Sequence, residues 1–342
     1  MTRPGSPFFK TGMVLAAVAV LLVSVCMGAA IGETAIPVTI VGQTIANKVW
    51  GSGYPVVPLD EGIVWSYRLS RAVVAACCGS ALAISGVVLQ SLLRNPLADP
   101  YILGISAGAS TGAVSVAILG LGTSMLSLPL GAFLGALVGF LLISLLAVKT
   151  GTGPTAIILA GVAGSQLFNA LTSFIVTKAA TAEQARGIMF WLLGNLSGVR
   201  WPDAYLAVPA TLLGLVICLW HSRALDAFAF GSNSAASLGI SVLRTQIVVI
   251  GASAVMTATM VSIVGSIGFV GLVIPHAARM LVGVRHGVLL PASALIGAVF
   301  MILADICSRT LIPGQVLPVG VVTALVGAPV FAVILAKKRE RA

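Results

Sequence analysis

Between Thr11 and Gly32 the chain carries no charged side chain, and between Arg94 and Lys149 only Asp99 interrupts a second uncharged stretch. Such runs leave no polar face for water, which a helix on the surface of a soluble domain must keep. They match instead the hydrocarbon core of a bilayer, about 30 Å thick, which a helix of about 20 apolar residues crosses. Composition extends the point to the whole chain. Of 342 residues 8% are charged and 58% hydrophobic, at a mean hydropathy of +1.11, whereas soluble domains carry about 25% charge. The sequence predicts an all-α, polytopic membrane protein. It excludes a soluble enzyme, a disulfide-rich secreted module and a disordered chain.

Apolar runs place about ten spans, over 12–31, 72–92, 102–122, 126–148, 155–177, 204–221, 245–264, 266–282, 288–308 and 318–336. As one helix, 245–282 would extend about 57 Å, so Gly265-Ser266-Ile267-Gly268 is read as a turn between two spans. The run from Met13 to Ile31 exceeds the roughly 7–15 residues of a signal-peptide core and reads as a first span that stays in place. Basic residues set the orientation, since Lys and Arg hold the cytoplasmic side. With both termini cytoplasmic, seven of the 19 fall outside: Lys48, Arg68, Arg71, Lys178, Arg186, Arg200 and Arg309. The other twelve fall inside, the Lys337-Lys338-Arg339 run among them. The net charge of +10 is therefore read as membrane topology and not as a nucleic-acid surface.

The connections carry further expectations. Outside, Glu33 to Val64 holds Pro37, Pro55 and Pro58 and reads as loop. Ile188 to Leu193 is apolar but too short to span, so it reads as an interfacial or re-entrant helix. Inside, 222–244 is mixed in polarity and reads as short helices presented to a cytoplasmic partner. Residues 1–342 thus form a single transmembrane domain with this segment inside it.

Chemistry-bearing residues are few. Gly104, Gly108 and Gly112, like Gly131, Gly135 and Gly139, recur every four residues, which lets helix backbones approach closely in lipid. The spacing fits packing within the chain or between subunits. Asp305 is the sole acidic residue inside a predicted span, and Arg309 four residues on shares its helix face. A local ion pair explains it better than a proton- or sodium-coupling centre, which lies deep in the membrane. No glycine-rich P-loop precedes Lys10-Thr11 or Lys149-Thr150, so the chain does not bind ATP in that manner. His221, His276 and His286 are too far apart for zinc-helix spacing and fall at inner helix ends. Cys26, Cys77, Cys78, Cys218 and Cys307 lie in apolar stretches and read as small buried hydrophobes. No metal site is expected.

The most specific stretch is Arg94-Asn95-Pro96-Leu97-Ala98-Asp99-Pro100-Tyr101-Ile102-Leu103-Gly104. Two prolines bracket an aspartate, which by itself means a rigid inner turn and a capped helix start. It resembles the signature of FecCD-type permeases, the membrane subunits of ATP-driven importers for iron chelates and cobalamin. Further matches are Arg68-Leu69-Ser70-Arg71, Gly268 to His276 with Arg279, Ala304-Asp305, and Leu317 to Ala324 running to Gly327-Ala328-Pro329. Where the family often has proline the sequence has Ser70, which bears on the local turn and not on the arginines.

The resemblance implies a type II ABC importer permease fold in the bacterial inner membrane, working as a homodimer about a central path. It implies two copies of a cytoplasmic ATPase that hold the ATP and magnesium, no cofactor on this chain, and a periplasmic substrate-binding protein. It matches Arg68, Arg71 and Arg309 to outer arginines that meet acidic residues of the binding protein; from the residues alone, snorkelling at the lipid interface explains them equally well. Ala235, Ala236, Leu238 and Gly239 resemble the coupling helix that seats in the ATPase, and Pro154 and Thr155 the cytoplasmic gate. Ser165, Asn169 and Thr172 fall at i, i+4 and i+7, which fits one face of a helix lining the path or hydrogen bonds between helices. The expected cargo is an iron chelate, a ferric siderophore or haem. Cobalamin is the alternative, and an ion-coupled secondary transporter the rival mechanism.

Overall fold

The computed structural model describes residues 7–118, 127–150, 154–179 and 181–339, and these are nearly all helical. Among the described residues six helices are long and apolar enough to cross a membrane: Pro58–Leu92, Leu128–Lys149, Thr155–Lys178, Trp201–Trp220, Val242–Val264 and His286–Thr310. Four shorter apolar helices, Leu15–Ala30, Ile105–Ile118, Val270–Val282 and Val319–Val333, occupy the remaining predicted positions. The expected set of spans is therefore present.

The first helix, α1 (Pro7–Ala30), is followed by a segment that departs from expectation. Glu33 to Val64 is not a plain loop: it contains α2 (Val38–Trp50) and α3 (Pro58–Gly62). Pro37 stands just before α2, where a missing N–H costs nothing, and Gly51 ends it at φ 65°. The prolines bound these helices instead of breaking them. Val41 of α2 is buried with Ala29, Ile36, Val64 and Leu69, and Lys48 pairs with Glu61 across the turn.

The long helix from Pro58 passes through a π-helical stretch, Ile63–Leu69, before becoming α4 (Ser70–Leu92). Helix α4 is buried on nearly every side and forms the centre of the main core. After a 3-10 turn (Pro100–Leu103) come α5 (Ile105–Ile118) and α6 (Leu128–Thr150). Their two glycine stripes face each other. A Cβ placed on Gly108 would collide with the Gly135 carbonyl, and one on Gly112 with that of Gly131. The small-residue spacing is spent on packing within the chain.

Helix α7 (Pro154–Ala179) leads to α8 (Ala182–Leu192), which Thr181 and Gln184 open with a reciprocal capping box. A short helix is thus present where one was expected. Gly194 follows at φ 78°, and the Asn195 N–H donates to the Val264 carbonyl at 2.8 Å. Helix α9 (Trp201–Trp220) leads to α10 (Ser222–Phe228) and α11 (Ser232–Ser237), the short helices expected in 222–244.

Helices α12 (Val242–Val264) and α13 (Val270–Val282) are separated as predicted. Gly265 makes the break at φ 75°, and a side chain there would strike the Trp191 carbonyl. The chain ends with α14 (His286–Thr310) and α15 (Val319–Arg339). Helix α14 crosses α4 so closely that Gly79 and Gly297 each lie against the other's carbonyl. The cysteines are all free, and two correct the expectation: Cys26 and Cys307 are exposed, because they sit on the outward faces of α1 and α14, while Cys78 and Cys218 are buried.

Candidate functional site

Where the start of α4 meets the end of α14, Arg71 and Arg309 share one carboxylate, and Arg68 is bonded nearby to backbone carbonyls. Asp305 is 1% exposed. Its Oδ1 accepts from Arg71 Nε at 2.6 Å, and its Oδ2 lies 3.2 Å from Arg309 Nε. Arg309 Nη2 also donates to the Gly28 carbonyl at 2.7 Å, which ties α1 to α14. Arg68 Nη1 donates to the Ala30 carbonyl at 2.9 Å, and Nη2 donates to that of Thr34. The pair of Asp305 with Arg309 is the one its spacing predicts; Arg71, far away in sequence, is the partner that spacing did not reveal.

The three arginines matched to a binding-protein contact differ in exposure. Arg68 and Arg309 are each 5% exposed. They point inward because the ends of α1 and the segment after it present unpaired carbonyls that only a multi-donor side chain can satisfy. The Arg71 side chain is the most open, at 11%, and also reaches the Ser197 hydroxyl at 3.3 Å. Asp305 serves Arg71 and Arg309 together, while Glu33 and Asp60 lie close enough to act on Arg309 and Arg68.

In α11, Ala235 is fully buried and packs with Ala227 and Phe228, so it holds the helix in place and offers no surface. Ala236 and Gly239 are exposed, and Leu238 is 71% exposed. Gly239 is not small for the sake of close approach, since nothing lies within 4 Å of a Cβ built on it. It has φ 80°, and its N–H and that of Ile240 close back on Ala236 and Ala235, which is a glycine-terminated helix end. Leu238 is thereby held outward.

The residues expected along α7 separate. Thr172 is buried and shares a 2.9 Å hydrogen bond with the Thr111 hydroxyl of α5, the interhelical use. Ser165 is half-buried, and Thr155 and Asn169 are exposed. Pro154 is the first residue of α7; its side chain lies outside the described residues. Gln166 and Ser173 are exposed beside Asn169, a stripe that the i, i+4, i+7 reading missed. Spacing from Asn169 by three and four residues could have found it.

Known proteins place this geometry. The sequence matches the FecCD transport family over residues 20–337. The chain belongs to that family. This FecCD permease is 40% identical over 354 residues to the cobalamin import system permease protein of Halobacterium salinarum, covering 95% of each chain. It is 39% identical over 277 residues to the Fe(3+) dicitrate transport system permease protein of Escherichia coli, covering 81% of this chain and 86% of that one. Its fold matches a metal-chelate type ABC transporter solved in an inward-facing conformation, with a TM-score of 0.82 and 32% identity over 96% of this chain and 99% of that one. It is an ABC importer permease, a multi-pass transport component and not an enzyme.

In this FecCD permease the signature at 94–104 has a physical role. Asp99 caps the 3-10 turn by accepting from the Tyr101 N–H at 2.9 Å. The Tyr101 hydroxyl accepts from the Ile267 N–H at 3.0 Å and donates to the Ile267 carbonyl at 3.1 Å. Pro100 lies against Gly271. The motif locks the turn between α4 and α5 to the break between α12 and α13.

Proposed function

We propose that the chain is one half of a homodimeric import path that carries a metal chelate from an external binding protein to the cytoplasm by alternating access. The observation that carries this reading is the stripe of Gln166, Asn169 and Ser173, exposed mid-helix among Val162, Leu167 and Phe174. Polar side chains inside a bilayer face protein or a water-filled cavity, because hydrocarbon offers them no partner. A second copy set against α7 would enclose them, with Ser165 at the flank and Thr155 and Pro154 at the inner mouth.

Energy comes from two copies of a separate ATPase, which hold ATP and magnesium and seat on Ala236, Leu238 and Gly239. The binding protein docks at the Arg71 rim, where a partner carboxylate would meet the most open of the three guanidinium groups. Both termini face the cytoplasm of a bacterial inner membrane, in keeping with the distribution of Lys and Arg.

The cargo is an iron chelate, a ferric siderophore or haem. The relative named for Fe(3+) dicitrate supports iron. Cobalamin is the second reading, favoured by the 40% identity to a cobalamin permease across 95% of the chain. Reconstitution with the ATPase and binding protein in vesicles tests both. ATP-dependent uptake of one labelled chelate, competed by that chelate and not by the other, is the expected result. Uptake driven by a proton or sodium gradient without ATP would overturn the mechanism.

A further inference from the structure

One side chain of the 222–244 segment hydrogen-bonds the start of α14, whose other end carries Asp305 and Arg309. Asp226 of α10 accepts two hydrogen bonds at the same oxygen, Oδ1: from the His286 backbone N–H at 2.9 Å and from its ring Nδ1–H at 2.7 Å. His286 is the first residue of α14 and is 4% exposed. The carboxylate fixes the tautomer with the proton on Nδ1, and the buried Nε2 is left without a partner. An orphaned buried acceptor costs stability, so this contact is not optimised for folding alone.

Two further connections give the contact its reach. Helix α10 also holds α4, because the Ser91 hydroxyl donates to the Leu225 carbonyl at 3.2 Å. It therefore sits across the inner ends of the two helices whose outer ends carry Arg71, Asp305 and Arg309. Those helices touch in the middle at Gly79 and Gly297, and α14 is about 37 Å long. Beside the contact lies a cavity of about 570 Å³ lined by Gln90, Arg94, Asp226, Arg279, Arg285 and His286. Leu225 of α10 and Leu289 and Leu290 of α14 belong to one buried core, and beside the cavity the Asp226 bonds are the hydrogen bonds that join the two helices among the described residues.

We propose that Asp226 and His286 are positioning residues for transport: their contact passes displacement of the ATPase-bound segment into α14 and so to the outer arginine rim. This rests on the reading of 222–244 as the ATPase contact. Packed interfaces move between discrete arrangements and do not deform smoothly, so a rod held at both ends transmits what a rod released at one end does not.

The test uses the reconstituted complex of permease, ATPase and binding protein. Asp226→Ala should co-purify with the ATPase, yet stimulation of hydrolysis by loaded binding protein should fall about tenfold, the factor set by about 1.4 kcal/mol of lost coupling. Asp226→Asn, which keeps an acceptor for both N–H groups, should restore it. His286→Leu removes only the ring bond and should show a smaller loss in the same direction, which keeps the test open should Asp226→Ala not fold. Wild-type stimulation in Asp226→Ala or His286→Leu, or an Asn variant as impaired as the Ala variant, would overturn the proposal. Leu238→Glu separates the two readings: if it still retains the ATPase, the segment is not the contact, whatever Asp226 does.

Discussion

Asp305 holds the outer rim together because it is the single negative charge that Arg71 and Arg309 share. Removing one partner of a buried ionic group strands the others, at about 3–5 kcal/mol. Asp305→Ala should therefore lower the thermal midpoint of the purified protein markedly, and adding Arg309→Met should recover part of the loss. A midpoint equal to wild type would mean that the cluster contributes nothing. Arg68 behaves differently, since its partners are the Ala30 and Thr34 carbonyls. Arg68→Glu sets acceptor against acceptor and should reduce the amount of folded protein in the membrane, whereas a purely rim-exposed arginine would tolerate reversal. The spacing of Asp305 and Arg309 was legible in the sequence because four residues make one helix turn. Arg71 was not, because its contact depends on how α4 and α14 cross, which no local pattern encodes.

The pairing of α5 with α6 follows from glycines at every fourth position on both helices. Gly108→Val should force them apart and abolish folded protein, since the added atoms meet the Gly135 carbonyl, which cannot rotate away. Gly42→Ala is the matching control. It lies in α2 with nothing within 4 Å of a new Cβ, so it should raise stability by about 0.4–1 kcal/mol, read as a higher thermal midpoint. Spans were legible for the same reason that these glycines were: a bilayer demands long apolar runs and close contacts demand small residues. Helix α2 was less visible. Its apolar face is short, it packs on Ala29 and Val64 instead of lipid, and its flanking prolines resemble those of a loop. Thr172 takes the interhelical alternative by bonding Thr111, while Asn169, about 60° away around the helix, is exposed.

Helix α7 is also where the assembled transporter can be checked. Its membrane-crossing stretch is only 22% buried within the chain, so lipid or a second copy must cover the rest. Leu159, Val162, Leu167 and Phe174 would suit either, but Gln166, Asn169 and Ser173 would not suit lipid. Helix α9 supplies the contrast: Leu206, Leu213 and Val216 are exposed there with no comparable polar stripe. With the exposed Cys26 and Cys307 replaced by alanine, Asn169→Cys should cross-link two permease copies in native membranes when treated with a short bifunctional thiol reagent. Leu213→Cys should not. The yield at position 169 should change when ATP and loaded binding protein are supplied, because alternating access moves the two halves against each other. Cross-linking at 213 with none at 169 would put α9 at the subunit contact and α7 in lipid, and the polar stripe would then need another partner. A cross-link at 169 that ignores ATP would keep the dimer and remove the path from its centre.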